Sequence, residues 1–403
     1  MDSKTIHGVR TSIRNHLSFE GHVSAQIHLI RTTSPSHRYS QEMVGEAMVK
    51  QLDPNGKGAR LARKIYRSSG IEFRHTVIGD LGPSDGSPDP SQSADGTEPD
   101  ERLFFDKNLT FLSPSTGVRN AVYSHHARIL FSRVAATLID DCPTFNRADV
   151  THVITVSCTG FFAPGPDYYV VKDLGLDSST KRFHLGFMGC YAAFPALKMA
   201  KAFCAEDPEA VVMVLCVELC SLHLEPSENI DDIIATSVFA DGASGAIVSA
   251  RPSGKDVKTL RLDFLESVVA PDSEGDMAWT IGDKGFDMVL STYVPRILEA
   301  NVAEIVDGLL VKSKMKREDV SHWAIHPGGR AILDKVEHGL GLSPNALDPS
   351  REVLRENGNM SSATILFVLK EFLLADSTKK GDKMVGMAFG PGLTVECALM
   401  TVD

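Results

Sequence analysis

Short apolar runs alternate with helical segments along most of this chain, and this alternation constrains the fold more than any other feature. Residues 150–158 (VTHVITVSC) and 211–219 (VVMVLCVEL) have the length and the β-branched content of buried strands. Between them, residues 190–204 carry apolar side chains at helical spacing and predict a helix. Strands that alternate with helices predict an α/β protein with mixed sheets.

The same pattern begins again after a polar break at residues 251–258. Strands are also predicted at 260–269 and 322–326, and helices at 102–141, 293–311 and 361–374. The two parts resemble each other in this order of elements. We therefore expect two similar α/β halves, an N-terminal one of residues 1–255 and a C-terminal one of residues 256–403.

The composition of the chain indicates which partners the protein can bind and in which compartment we expect it. The 403 residues carry 52 acidic and 41 basic side chains, a formal net charge of −11, which disfavours binding to nucleic acid or to an anionic membrane. Seven cysteines without a CxxC pair, and a polar N-terminus without a secretion signal, predict reduced thiols in a cytoplasmic protein. No apolar run is long enough to span a bilayer. Residues 82–101, rich in Pro, Ser and Asp, are expected to form a flexible acidic insertion.

Cys190 is the strongest candidate for a reactive group. It follows Gly189 in the run GFMGCYAAF and stands where the predicted helix begins. A helix N-terminus favours an anion, and the thiolate is the reactive form of cysteine. The alternative is a small buried apolar side chain, which is the usual role of a free cysteine. The other cysteines lack histidine partners at ligand spacing, so we expect no metal site. We also expect no bound redox cofactor, because a thiolate and its substrate can supply the chemistry without one.

Two later motifs could complete a site around Cys190. His326 ends an apolar strand and precedes Pro327 and two glycines, and Asn359 lies in the run GNMSSA. Taken alone, Asn359 could be a simple turn or helix-capping residue. A cysteine, a histidine and an asparagine suit acyl transfer followed by condensation, because ring and amide N–H groups can stabilise an enolate oxygen. A papain-like hydrolase uses the same three residue types but lacks a local signature here.

Five stretches resemble the type III polyketide synthases, the chalcone-synthase-like family of the thiolase superfamily. They are GFMGCYAAFPAL around Cys190, SVFADGASG from Ser237, HPGGRAILDKVE from His326, REVLRENGNMSSA ending at Ala363 and FGPGLTVE from Phe389. CTGFFAPGPD, from Cys158, is more similar to the bacterial members than to the plant ones. The resemblance implies a thiolase-like fold with two α/β halves in a layered αβαβα arrangement.

The resemblance also implies a role for each matching residue. Cys190 would carry the acyl group, and His326 and Asn359 would promote decarboxylation. Phe239 would be the gatekeeper between the coenzyme A tunnel and the cavity. The alternative is that Phe239 is an ordinary aromatic side chain of the core. Gly328 and Gly329 would lie along the pantetheine arm. Further residues expected to line the cavity are Cys158, Ala163, Cys220, His223, Trp279, Met288, Ser361, Phe389 and Pro391.

Arg60, Arg63, Lys64 and Arg67 form a basic stripe at helical spacing. The stripe lies in the region where related enzymes bind coenzyme A phosphates. A solvated helix face explains the same spacing equally well.

Departures from the family pattern bear on the product. Trp279 stands where plant relatives carry glycine and would shrink the cavity, which favours few extensions. Small side chains at Cys158, Cys220 and Ala163 would instead open a tunnel for a long aliphatic starter. These two inferences oppose each other, and the sequence leaves both open.

The expected activity is condensation of an acyl-CoA starter with malonyl-CoA units, followed by closure of a pyrone or resorcinol-type ring. The expected partners are these small-molecule thioesters and a second copy of the chain, with an acyl carrier or a fatty-acid synthase as a further candidate donor. The alternatives are a ketoacyl synthase that initiates fatty-acid synthesis, a cysteine hydrolase and a non-catalytic scaffold.

Overall fold

A computed structural model describes residues 24–82, 102–254, 257–271 and 273–403. The expected acidic insertion at 82–101 therefore lies outside the described residues except for Gly82. The strands in the described part are β1 (Gln26–Thr33), β2 (His37–Ser40), β3 (Phe73–Thr76), β4 (His152–Ser157), β5 (Lys181–Gly186), β6 (Val211–Leu219), β7 (Asp241–Ser249), β8 (Leu260–Val269), β9 (Met277–Gly282), β10 (Gly285–Leu290), β11 (His322–Ile325), β12 (Lys383–Gly390) and β13 (Thr394–Val402). The α-helices there are α1 (Gln41–Val49), α2 (Lys57–Ser68), α3 (Thr116–Asp140), α4 (Pro166–Leu174), α5 (Ala193–Glu206), α6 (Ile230–Val238), α7 (Val294–Lys312), α8 (Arg330–Leu340), α9 (Asp348–Asn357) and α10 (Thr364–Leu374).

Nine strands form one mixed sheet in the order β11-β12-β13-β8-β1-β7-β6-β4-β5. β4 runs parallel to both β5 and β6, and β11 runs parallel to β12, whereas the other neighbours are antiparallel. β1 pairs with β7 on one side and with β8 on the other. β1 therefore joins the strands of the two parts of the chain into a continuous hydrogen-bonded sheet.

Side chains that alternate along the strands build three layers of apolar packing. One face of the sheet packs on α5 and α10, whose buried side chains share a cluster with alternate residues of β4, β6, β12 and β13. The opposite face is covered by α3 and α4 over the N-terminal strands and by α7 and α8 over the C-terminal strands. α5 and α10 therefore lie between the N-terminal and the C-terminal strands, with α3 and α4 outside one set and α7 and α8 outside the other, which is the layered αβαβα arrangement that the resemblance implied.

Most predicted elements are present, and the differences lie at their ends. The strand expected at 150–158 is β4, and the helix expected at 293–311 is α7. The helix expected over 102–141 begins only at Thr116, because Pro114 precedes it and the Ser115 hydroxyl caps the amide of Val118. No helix among the described residues is long and apolar enough to cross a membrane.

Candidate active site

Parallel strand ends bring the candidate residues to one edge of the sheet. Cys158 follows β4, Cys220 follows β6, and the turn that carries Cys190 follows β5. On the C-terminal side, His326 follows β11, which is parallel to β12. The carboxyl ends of parallel strands are where α/β proteins commonly place their sites.

A tight turn holds Cys190 just before α5. The helix begins at Ala193, so the expectation that Cys190 opens it was wrong by three residues. The turn uses positive φ angles at Phe187 (59°) and Gly189 (84°). A Cβ atom on Gly189 would lie 2.5 Å from Cδ of Pro391, so only glycine fits there.

Burial opposes the charged form of both Cys190 and His326. Loss of solvation raises the pKa of the Cys190 thiol to about 11, although hydrogen bonds with Ser361 and Asn359 act in the opposite direction. Burial lowers the pKa of the His326 ring to about 3. The resting pair is therefore a neutral thiol and a neutral ring. Transfer of the thiol proton to the ring would create two opposite charges without bringing net charge into the protein.

The His326 ring is available to a ligand. Its backbone N–H donates to the Met387 carbonyl at 2.8 Å, which fixes the residue at the end of β11. The side chain is 1% exposed, and neither ring nitrogen has a hydrogen-bond partner among the described residues. Buried polar atoms normally have partners, so this ring is suited to donate to a bound substrate.

The Asn359 amide is held in one orientation. Its Oδ1 accepts from the backbone N–H of Ser361 at 2.9 Å, and its Nδ2 donates to the Gly328 carbonyl at 3.3 Å. Its backbone bridges the segment after α6, because Asn359 N–H donates to the Val238 carbonyl and Ala240 N–H donates back to the Asn359 carbonyl. The second amide N–H of Asn359 is the one that hydrogen-bonds with the Cys190 sulfur, so it is directed at the candidate reacting group.

Cys190, His326 and Asn359 line one cavity of about 300 Å³. The cavity also brings together most of the other residues expected there, namely Cys158, Cys220, Phe239, Trp279, Met288, Ser361, Phe389, Pro391, Gly328 and Gly329. The residues of the basic stripe are exposed on α2, whose Ile65 and Ser68 line the same cavity. The stripe therefore flanks the cavity rather than entering it.

Two expected cavity residues lie elsewhere. Ala163 lines a separate surface hollow beside Phe162 and Tyr169, because the segment after β4 leads away from the cavity into α4. His223 lines an adjacent cavity of about 110 Å³, whose wall shares Cys220, Phe239, Trp279 and Met288 with the main cavity. A small residue at 163 therefore does not widen the main cavity within this chain.

Two family models match most of the chain. The N-terminal domain of chalcone and stilbene synthases matches residues 108–252, and their C-terminal domain matches residues 261–402. The chain belongs to this family. Its members are type III polyketide synthases, which are acyltransferases acting on coenzyme A thioesters.

Individual relatives agree with this assignment. "Alpha-pyrone synthesis polyketide synthase-like Pks18" of Mycobacterium tuberculosis is 32% identical over 70% of this chain and 73% of its own length. The crystal structure of PKS-I from the brown alga Ectocarpus siliculosus superposes with a TM-score of 0.83 at 29% identity, over 94% of this chain and 98% of that one. "Probable polyketide synthase 1" of Dictyostelium discoideum is 25% identical over 96% of this chain, and the match spans 12% of that protein.

The floor of the cavity in this type III polyketide synthase is fixed by hydrogen bonds. Trp279 Nε1–H donates to the Cys158 carbonyl at 2.9 Å. Behind it, the His223 ring stacks on Phe286 at 4.0 Å. His223 Nε2–H donates to the Thr159 carbonyl at 2.7 Å, while Nδ1 accepts from the Phe286 N–H. Burial lowers the pKa of His223 to about 4, so the ring is a neutral structural group.

Glu218 is a residue of the site that the sequence reasoning missed. Its fully buried carboxylate accepts from the Cys158 N–H, the Thr159 hydroxyl and the Ser362 hydroxyl at 2.5–2.9 Å. Burial raises the pKa of Glu218, and its charge in turn raises that of Cys190. The available signal was a single carboxylate inside an otherwise apolar strand, because such a group needs several donors.

Proposed function

We propose that this enzyme condenses an acyl-CoA starter with malonyl-CoA on Cys190 and releases an α-pyrone. The observation that carries this proposal is the convergence of the Cys190 thiol, the His326 ring and the Asn359 amide on one cavity. We propose Cys190 as the nucleophile and the other two as donors to the thioester oxygen of the extender.

Loading is the first step of the proposed reaction. The Cys190 sulfur attacks the thioester carbonyl of the starter, the bond to coenzyme A breaks, and the thiol proton leaves with the coenzyme A thiolate. His326 is suited to hold that proton in transit because its ring nitrogens have no partner among the described residues.

Decarboxylation and condensation follow. Malonyl-CoA loses CO₂, and the electron pair left behind delocalises onto the thioester oxygen. His326 and Asn359 stabilise this oxygen with N–H groups that the protein already holds in place. The carbanion then attacks the acyl carbonyl and expels the Cys190 thiolate, which leaves a β-ketoacyl-CoA for reloading.

Cavity size and wall chemistry support an apolar starter and few extensions. Met277, Leu290, Val294 and Ile332 contribute to the wall, and the fixed Trp279 ring closes the floor. A volume of about 300 Å³ is at the lower end for a drug-sized ligand. The relative whose printed name includes alpha-pyrone synthesis supports lactone closure.

We further propose that the stripe of Arg60, Arg63, Lys64 and Arg67 binds coenzyme A phosphates, with no other bound cofactor required. Support comes from its exposed position on the helix that also borders the cavity. A homodimer, a cytoplasmic location, an acyl-carrier donor and the division after residue 255 stay predictions.

Product analysis tests the function. The enzyme is incubated with malonyl-CoA and acyl-CoA starters of graded chain length, and the products and the released CO₂ are measured. We expect CO₂ release that requires both substrates and a pyrone extended by more than one malonyl unit. A Cys190→Ala control should retain its thermal unfolding temperature and make no product. Starter consumption without CO₂ would indicate a hydrolase, and a single extension restricted to malonyl carrier protein would indicate a ketoacyl synthase.

A further inference from the structure

Arg74 is a buried arginine that the proposed chemistry leaves without a role. It lies on β3 and is 6% exposed. Its Nη1 donates to the carbonyl of Thr236 at 2.6 Å and to the carbonyl of Phe239 at 2.8 Å. Both carbonyls belong to the C-terminal turn and cap of α6, where helices leave carbonyl groups unpaired. A cation at this end of a helix is also favoured by the helix dipole.

The segment held by Arg74 pairs with the segment that carries Asn359. Phe239 and Asn359 form a short parallel bridge, in which Asn359 N–H donates to the Val238 carbonyl at 2.8 Å and Ala240 N–H donates to the Asn359 carbonyl at 2.9 Å. Arg74 also lies against Gly358, the residue that precedes Asn359 in the other segment of the bridge. A Cβ atom added to Gly358 would lie 3.1 Å from Cγ of Arg74.

We infer that Arg74 is a positioning residue for decarboxylation, which sets the Phe239 ring and the Asn359 amide relative to each other through the bridge beneath them. This inference rests on the proposed function, in which Asn359 stabilises the enolate. Arg74 makes no hydrogen bond with the turn of Cys190, which belongs to the separate segment between β5 and α5. Loading of Cys190 is therefore expected to be independent of Arg74.

Both hydrogen bonds come from one guanidinium nitrogen, Nη1, whose two N–H groups have fixed directions, while Nε and Nη2 have no hydrogen-bond partner among the described residues. One Nη1 group serves two carbonyls while the aliphatic part of the side chain packs against Gly358. A guanidinium holds several N–H groups in a rigid plane, whereas a lysine ammonium is a single point at the end of a flexible chain. Arg74→Lys keeps the charge and loses the fixed direction of these two N–H groups. Arg74→Gln loses the charge as well.

The experiment measures the two half-reactions separately in the full chain. Loading is followed by the mass of the acylated protein, and decarboxylation by the CO₂ released when malonyl-CoA is added to the loaded protein. We expect both Arg74 variants to load Cys190 at the wild-type rate. Their decarboxylation kcat should fall about 10-fold to 10²-fold, the penalty for misplacing reacting groups by about 1 Å. The KM for malonyl-CoA should change little, because the basic stripe on α2 is untouched.

Arg119→Lys is the matched control. Arg119 is fully buried and donates to the carbonyls of Leu222 and Leu224, neither of which belongs to the two segments that form the bridge between Phe239 and Asn359. This variant should lose comparable stability without changing the ratio of decarboxylation to loading.

Each outcome decides the inference. Equal losses of loading and decarboxylation in the Arg74 variants, or no loss in either, would overturn it. The same holds if Arg119→Lys lowers the ratio as much. If Arg74→Gln does not fold, Arg74→Lys carries the test alone. A wild-type enzyme that releases no CO₂ would instead overturn the proposed function, so the two failures are distinguishable.

Discussion

Burial acts in opposite directions on the two groups that exchange a proton in the proposed loading step. It raises the pKa of Cys190 to about 11 and lowers that of His326 to about 3. A lone thiolate or a lone imidazolium is therefore disfavoured in this cavity. The pair is neutral overall when the proton moves from sulfur to nitrogen. At the scale of single residues, the reactivity of Cys190 depends on its neighbour as much as on its own turn.

Replacing His326 with alanine should move the reactivity of Cys190 to higher pH. Without the ring to take the proton during attack, Cys190 must react as a free thiolate, which is scarce at any pH below the pKa of about 11 that burial sets. The check is the pH dependence of inactivation by iodoacetamide. His338→Ala is the control, because the His338 side chain is 80% exposed. Superimposable profiles for the wild type and His326→Ala would contradict the proposed proton transfer.

At the scale of secondary-structure elements, the turn between β5 and α5 places Cys190, and its backbone has little room to move. Gly189 faces the ring of Pro391, which follows β12. This contact ties a turn of the N-terminal strands to a turn of the C-terminal strands, directly beside Cys190.

Gly189→Ala should abolish acyl loading of Cys190. The added methyl group would lie 2.5 Å from Cδ of Pro391, so the turn must move. Gly175→Ala is the matched control. Gly175 has a similar positive φ of 64°, and nothing lies within 4 Å of its added Cβ, so this variant should lose about 1 kcal/mol of stability and keep its activity. Loading is measured by protein mass. Equal activity in the two variants would show that the close contact is unimportant.

Trp279→Gly should enlarge the cavity and lengthen the product. Trp279 lies on β9 and its ring forms part of the cavity wall. Removal of the ring is expected to shift the product mass upward by whole malonyl-derived units. Ile281→Gly on the same strand is the control, because Ile281 is 55% exposed. An unchanged distribution measured by mass spectrometry would exclude Trp279 as the limit on chain length.

Local patterns predicted the elements better than they predicted which residues meet. Strand β6 follows from a continuous apolar run, because all of its residues are buried, and helix α7 lies where the sequence predicted it. The start of α5 was misplaced since residues 190–192 are as apolar as the helix itself. Ala163 was expected in the cavity, but the direction of the chain after β4 depends on tertiary packing. The role of Glu218 in the site was not predicted, because the groups that donate hydrogen bonds to its carboxylate are distant in sequence.

On the scale of the whole molecule, β1 connects the two sets of strands and carries a buried histidine. β1 lies between β7 and β8, and the sheet is continuous only through it. His28 on β1 is 1% exposed and meets Phe145 edge-on at 4.8 Å. Burial lowers the pKa of His28 to about 4. The junction of the sheet therefore contains a group that resists protonation while the protein is folded.

Acid should destabilise the fold partly through His28. Below pH 6.5 the unfolded chain binds a proton at this position and the folded chain does not, so the free energy of unfolding falls as the pH drops. The loss is complete near pH 4 and amounts to about 3 kcal/mol for a shift of this size. His28→Leu removes the titrating group, so its unfolding temperature should fall less between neutral pH and pH 4 than that of the wild type. His338→Gln, at an exposed position, should follow the wild type. Parallel acid profiles for His28→Leu and the wild type would mean that the junction of the sheet tolerates a charged ring.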